Sequence, residues 1–312
     1  MKAVNRNDKI MANLDFHQKQ IPDSIYVVGF PKSGNTWLTR LLADALQAPV
    51  HSYSVRGVLE VASEINHHLS LPSEPDFQVM KNHFLPEIFL EEVNPSPRRI
   101  AYIYRDFRDI LVSAFFYFKY KGDEADARMM GIPSLLSLLM SQGPGALYRH
   151  YCVRRRMLAY VRTFCQEGVK DDFGTWQGHI SAWETIKDQR SDIKLAFISY
   201  EELLNNTAST LLHLFKMLKL PQPNDEKLEE VIGRQSFERL KKRYRNMPSD
   251  VDVPYGKEFN VSFLRKGVAG DWKNFTSKKM GRIIEKHTGE MLSKLGYESS
   301  HYWYENLPSS IF

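Results

Sequence analysis

Only two cysteines, Cys152 and Cys165, occur in 312 residues. Two thiols are too few for a disulfide framework and stand at no metal-ligand spacing, so a reducing compartment fits. The ten histidines, adjacent His67 and His68 included, show no ligand spacing either, and no metal is expected. No apolar run reaches the roughly 18 residues that a membrane span needs. Residues 1–20 form a polar lead without the apolar stretch of a secretory signal, so the expected location is cytoplasmic, with no membrane partner. Internal repeats and low-complexity tracts are missing. The formal net charge is only +5, enough to favour encounter with an anionic ligand but not to name it. Two basic clusters, residues 154–156 and 241–245, come without a DNA- or RNA-binding signature and read as solvated helix faces, so no nucleic-acid partner is expected.

What is present is an ordinary globular composition, 43% hydrophobic and 25% charged, long enough to bury a full core as one α/β unit. Residues 1–312 read as a single domain. Short apolar runs at residues 25–28, 77–80, 100–104 and 193–198, bounded by Pro, Arg or Asp, read as buried parallel strands. Helical periodicity covers roughly residues 36–46, 108–120, 147–165, 176–189, 201–218 and 279–295. This alternation predicts a doubly wound α/β sheet with ligands at the carboxyl ends of its strands, where Lys32 and Arg105 stand. Residues 123–145 and 246–261, rich in Gly, Pro, Met and charge, read as loops or lids over a pocket.

The stretch Gly29-Phe30-Pro31-Lys32-Ser33-Gly34-Asn35-Thr36-Trp37 joins the first strand to the first helix. Its glycines allow backbone N–H groups to converge on an anion seated at the helix N-terminus. An NTPase loop places Lys directly after the second glycine, whereas here Asn35 stands there and the lysine, Lys32, lies inside the loop. The loop therefore suits a phosphate-like group other than a nucleoside triphosphate tail.

Two further segments follow in order: Tyr104-Arg105-Asp106-Phe107-Arg108-Asp109-Ile110-Leu111-Val112-Ser113, and Arg265-Lys266-Gly267-Val268-Ala269-Gly270-Asp271-Trp272-Lys273-Asn274. Together the three resemble the cytosolic-type sulfotransferase family, over about residues 25–274. The resemblance implies a P-loop-type parallel sheet flanked by helices. It also implies transfer of a sulfuryl group from 3′-phosphoadenosine 5′-phosphosulfate (PAPS) to a hydroxyl or amine of a small-molecule acceptor. The product would be adenosine 3′,5′-bisphosphate (PAP), with no metal required. With its polar lead and no long apolar run, the chain is expected to stay in the cytosol, unlike the membrane-anchored Golgi sulfotransferases.

On that resemblance, Lys32, Ser33, Gly34, Asn35, Thr36 and Trp37 hold the 5′-phosphosulfate side, with Trp37 against adenine. Arg105, Ser113, Arg265, Lys266 and the Gly267 backbone hold the 3′-phosphate. Arg105 has a structural alternative, pairing with Asp106 or Asp109. Tyr200 matches the family's adenine tyrosine, and Phe237 the ring on adenine's other face, with Gln235 and Leu240 replacing the usual Thr and Met. Met80-Lys81-Asn82-His83-Phe84-Leu85-Pro86 resembles the family's Lys-x-His-Leu-Pro segment with one residue, Phe84, added. In an extended strand Lys81 and His83 share a side. An ordinary imidazole, with a pKa near ~6.5, is largely neutral and able to take a hydroxyl proton, so His83 is the candidate base, and Lys32 and Lys81 its catalytic companions.

Residues 115–118 and Tyr120 read as a core-facing helix with one side left for the acceptor, whose pocket is expected from residues 52–75 and 123–145. The family's dimerisation segment is not recognisable in residues 275–290, so the chain is expected to be a monomer or weak homodimer. A P-loop kinase and a non-catalytic binder of adenosine bisphosphate or anionic glycan are the competing readings. The first is opposed by Asn35, the second by the presence of Lys32 and His83.

Overall fold

The computed structural model describes residues 23–53, 59–93, 99–119, 144–169, 173–246 and 266–309. Six strands form one sheet: β1 (Asp23–Val28), β2 (Val50–Tyr53), β3 (Leu59–Val61), β4 (Phe77–Asn82), β5 (Arg99–Tyr104) and β6 (Lys194–Ser199), in the order β3-β2-β4-β1-β5-β6. Every pairing is parallel except β2–β3, whose antiparallel edge strand was not expected. β2 and β3 are four and three residues long, too short to show alternation in the sequence.

Strand residues alternate between two apolar clusters. Tyr26, Val28, Ile100 and Tyr102 face one side with Phe30, while Ile25, Val27, Ala101 and Ile103 face the other. Helix α1 (Asn35–Leu46) covers the second face through Leu38, Leu41 and Leu42. The first face is covered by helices α4 (Phe107–Ala114), α5 (Pro144–Glu167), α6 (Trp176–Gln189) and α11 (Lys278–Lys294), counting short α2 (Ser63–Asn66) and α3 (Pro86–Ile88) between. Because β1 lies between β4 and β5, the chain leaves it in one direction and later crosses to its other side. The carboxyl end of β1 is thus the switch point where ligands bind such sheets.

Several boundaries differ from expectation. The helix expected over residues 201–218 is two, α7 (Tyr200–Asn205) and α8 (Thr207–Met217), because Asn206 leaves helical geometry at φ −137° and ψ 57°. The helix expected from residue 108 starts at Phe107, where Asp106 caps it by accepting the Arg108 N–H at 2.9 Å, and becomes π-helical over Phe115–Lys119. Two unexpected helices, α9 (Asp225–Arg234) and α10 (Phe237–Arg245), follow. The first carried a readable start: Asn224 accepts from Lys227 N–H ahead of Asp225 and Glu226. Residues 52–75, expected as pocket loops, contain β3 and α2. The basic face at residues 241–245 is only partly solvated, since Tyr244 is buried and bonds Arg40 of α1 at 2.7 Å. The expected lid at residues 246–261 lies outside the described residues apart from Asn246, as does residues 123–145 apart from the start of α5.

Candidate active site

The phosphate loop is built by two glycines that no other residue replaces easily. A Cβ on Gly29 would collide with the carbonyl oxygen of Ile103. Gly34 sits at φ 106°, and a Cβ there would lie 2.6 Å from the Tyr200 ring. Gly34 is also the N-cap of α1: its carbonyl accepts from Trp37 N–H at 3.0 Å, but it offers no side chain to the N–H groups of the first turn. Lys32 itself has a positive φ of 72° and rests its ammonium 3.8 Å over the Tyr117 ring. Tyr117 is half-buried, two residues after buried Phe115. The side chain of Phe118 and all of Tyr120 lie outside the described residues.

Directly beside this loop, β4 ends at Asn82 and His83 follows it. His83 Nδ1 lies 2.8 Å from the Gly29 carbonyl oxygen. A carbonyl only accepts, so Nδ1 carries the proton and Nε2 keeps its lone pair. Burial, then the Lys81 ammonium and more weakly His179 and Lys32, lowers the pKa of His83 to about 3, against the raising effect of its hydrogen bond to the Gly29 carbonyl. The imidazole is therefore neutral at any ordinary pH. Asn35 braces the same place, its Nδ2 donating to the Gly29 carbonyl at 3.1 Å. The added residue Phe84 is absorbed by the core at 2% exposure, stacked on Phe173, and leaves Pro86 to open α3.

At the end of β5, Arg105 donates to the Val268 carbonyl at 2.9 Å and lies 4.2 Å from the Tyr200 ring centroid. Its structural alternative is present as well: Asp109 is 3.8 Å away, whereas Asp106 pairs with Arg108 at 2.7 Å. Asp109 ties the third segment down by accepting from Gly270 N–H at 2.6 Å and Trp272 N–H at 3.0 Å. Ser113 stands four residues further along α4, on the Asp109 side of that helix. Lys266 pairs with Asp271 at 2.7 Å. Gly267, at φ 66°, lies so close to Phe237 that any Cβ would strike the ring. Arg265 lies outside the described residues. Trp37 donates to the Gln235 carbonyl at 3.0 Å and meets Tyr200 edge-on at 5.8 Å between centroids.

Lys32, Ser33, Gly34, Asn35, Thr36, Trp37, His83, Arg105 and Tyr200 are thus gathered around the carboxyl ends of β1, β4, β5 and β6, with Gly267 and Phe237 adjoining through the Val268 and Gln235 contacts. Ser33 Oγ, Asn35 Oδ1 and Arg105 Nε are buried here without a hydrogen-bond partner. Such orphans cost free energy unless a ligand meets them. An array of donors, cations and aromatic faces fits a phosphorylated nucleotide. Among the described residues no group of three or more His, Cys, Asp or Glu could hold a metal ion, and no helix is long and apolar enough to cross a membrane.

The Sulfotransferase domain family matches residues 22–296. This chain belongs to that family. Sulfotransferase 2B1 of Mus musculus is 25% identical over 256 residues, 81% of this chain and 66% of its own length. Sulfotransferase 2A1 of Homo sapiens is 25% identical over 286 residues, 88% of this chain and 86% of its own. The chain thus spans slightly under two thirds of the first of these relatives. Mouse sulfotransferase SULT7A1, solved in complex with PAP, superposes with a TM-score of 0.59 at 22% identity, covering 89% of this chain and 87% of its own. That likeness shows the sulfotransferase fold.

Several residues of this candidate site carried no sequence signal strong enough to single them out. Asp109 was read only as a neighbour for Arg105, yet it anchors the third segment. Tyr102, His179 and Trp183 approach the β4 exit from the core side, and their signal, polar rings amid apolar periodicity, is shared by many core residues.

Proposed function

We propose that the protein is a PAPS-dependent sulfotransferase acting on a hydroxyl or amine of a small-molecule acceptor in the cytoplasm. The observation that carries the reading is the single tautomer of His83: with Nδ1–H given to Gly29, only Nε2 is left to accept a proton beside two lysines. The orphaned donors at Ser33 and Arg105 support a bound phosphate on either side of it.

PAPS, when bound, supplies an activated sulfuryl group linked through oxygen to its 5′-phosphate. Ser33, Thr36 and the backbone N–H groups at the start of α1 hold the 5′ side. Arg105, Ser113, Lys266 and Gly267, with Arg265, hold the 3′-phosphate, and Trp37, Tyr200 and Phe237 take the adenine. With PAPS bound, His83 Nε2 would take the proton that the acceptor loses on accepting the sulfuryl group. Lys32 and Lys81 stabilise the charge that develops on the phosphate and sulfuryl oxygens.

Labelled PAPS, offered with a panel of phenols, alcohols and amines with and without Mg²⁺, tests this reading. Metal-independent label transfer is expected. Transfer only from ATP with Mg²⁺ would make the chain a kinase, and PAP binding without turnover would make it a binder.

A further inference from the structure

His179 and Trp183 stand four residues apart on α6 and project from one face of it, each fully buried. His179 Nε2 lies 3.0 Å from the carbonyl oxygen of His83, and Trp183 Nε1–H donates to the carbonyl oxygen of Phe84 at 3.1 Å. Two ring N–H groups one helical turn apart thus meet two consecutive carbonyls. A carbonyl only accepts, so the proton of His179 sits on Nε2, and Nδ1 accepts from the Tyr102 hydroxyl at 2.7 Å. Burial keeps this imidazole neutral, its pKa lowered to about 4, so both bonds persist across the working pH range.

Those two carbonyls belong to the peptides on either side of Phe84, the residue by which this segment exceeds the Lys-x-His-Leu-Pro pattern. An exit one residue longer has one more peptide plane free to rotate, and rotation there would swing the imidazole. We propose that His179, oriented by Tyr102 and seconded by Trp183, is a positioning residue for His83, holding its peptide so that Nε2 faces the acceptor. The proposal rests on the reading of His83 as the base. His179 never touches the acceptor or the nucleotide in this role.

The test compares His179→Phe, His179→Gln and Tyr102→Phe with wild type, using labelled PAPS and two acceptors, an aliphatic alcohol and an acidic phenol. His179→Phe should lower kcat toward the alcohol by roughly tenfold or more, the scale of a misplaced catalytic group. The loss toward the phenol should be smaller, and the KM for PAPS should stay within about twofold. Gln keeps one N–H donor and one oxygen acceptor, so His179→Gln should recover most of kcat. Equal losses on both acceptors, a parallel fall in PAP binding, or no recovery in a His179→Gln protein that melts like wild type would each reduce His179 to packing and overturn the proposal. Should His179→Phe fail to fold, Tyr102→Phe carries the test with a milder loss and the same acceptor dependence, and an unchanged kcat there overturns it. His83→Ala run beside them separates the two ideas. Full activity of that variant on the alcohol would remove the base itself, whereas an inactive His83→Ala beside an unaffected His179→Phe would remove only the positioning role.

Discussion

His83 and Gly29 share a hydrogen bond of 2.8 Å that ties the candidate base to the phosphate loop itself. The Gly29 carbonyl also accepts from Asn35 Nδ2, so one oxygen joins loop, helix α1 and the β4 exit. Displacing any of the three moves the others.

Removing the imidazole should separate chemistry from cofactor affinity. His83→Ala is expected to lower kcat by at least roughly 10²-fold on an aliphatic alcohol, less on an acidic phenol that sheds its own proton, while PAP affinity stays near wild type. Steady-state kinetics with both acceptors and a PAP titration check this. Near wild-type turnover of the alcohol would pass the base role to His51, His67 or His68.

Acid should act on stability before it acts on the base. His179 and His83 have folded pKa values lowered to about 4 and about 3, so below the ordinary value near 6.5 the unfolded chain binds more protons. Stability is complete above about pH 6.5 and declines as pH falls, His179 alone accounting for about 3 kcal/mol by pH 4. Urea midpoints between pH 8 and 5 should show that decline, with a shallower slope in His179→Gln. The acceptor kcat/KM should meanwhile show no acidic limb near pH 6.5, and a limb there would mean that His83 titrates like a solvated imidazole.

Nucleotide discrimination should follow the 3′-phosphate. PAP is expected to raise the melting temperature well above any shift from ATP, which has no 3′-phosphate for Arg105, Ser113, Arg265 and Lys266. At a hundredfold excess over Kd the stabilisation is about 2.7 kcal/mol. Equal shifts from the two nucleotides would count against the assignment of that cage.

Asp109 should matter to fold and cofactor together. Asp109→Ala leaves the N–H groups of Gly270 and Trp272 without their acceptor, a loss of roughly 2 to 4 kcal/mol in stability. The thermal shift from PAP should shrink with it. A denaturant series with and without PAP measures both, and an intact shift would mean that the third segment keeps its place without the carboxylate.

The sheet was largely legible because its central strands are continuous apolar runs and the β1–loop–α1 unit signals itself locally through two glycines. The short strands β2 and β3 show no period, and the break at Asn206 lies inside a pattern that stays apolar and periodic on both sides. Within the site, the residues that occur in motifs could be singled out in advance. The contacts of His179 and Trp183 could not, because they go to backbone carbonyls, and a carbonyl presents the same oxygen whatever side chain stands at positions 83 and 84. Asp109 was similarly obscured, since its partners are backbone N–H groups 161 and 163 residues away.

Arg108 has its own consequence. Its guanidinium pairs with Asp106 and Glu298 and lies between the Trp272 ring, 3.9 Å from its centroid, and the Trp303 ring, at 4.7 Å. Glu298 is 190 residues further along the chain than Arg108. During synthesis Arg108 leaves the ribosome with Asp106 beside it, while the other wall of its socket has yet to be translated. The helix that carries Asp109 thus reaches its final packing only after Glu298 has been made. A nascent chain cannot complete this packing early, and shortening it ahead of residue 298 would leave a buried cation half-housed against Trp272.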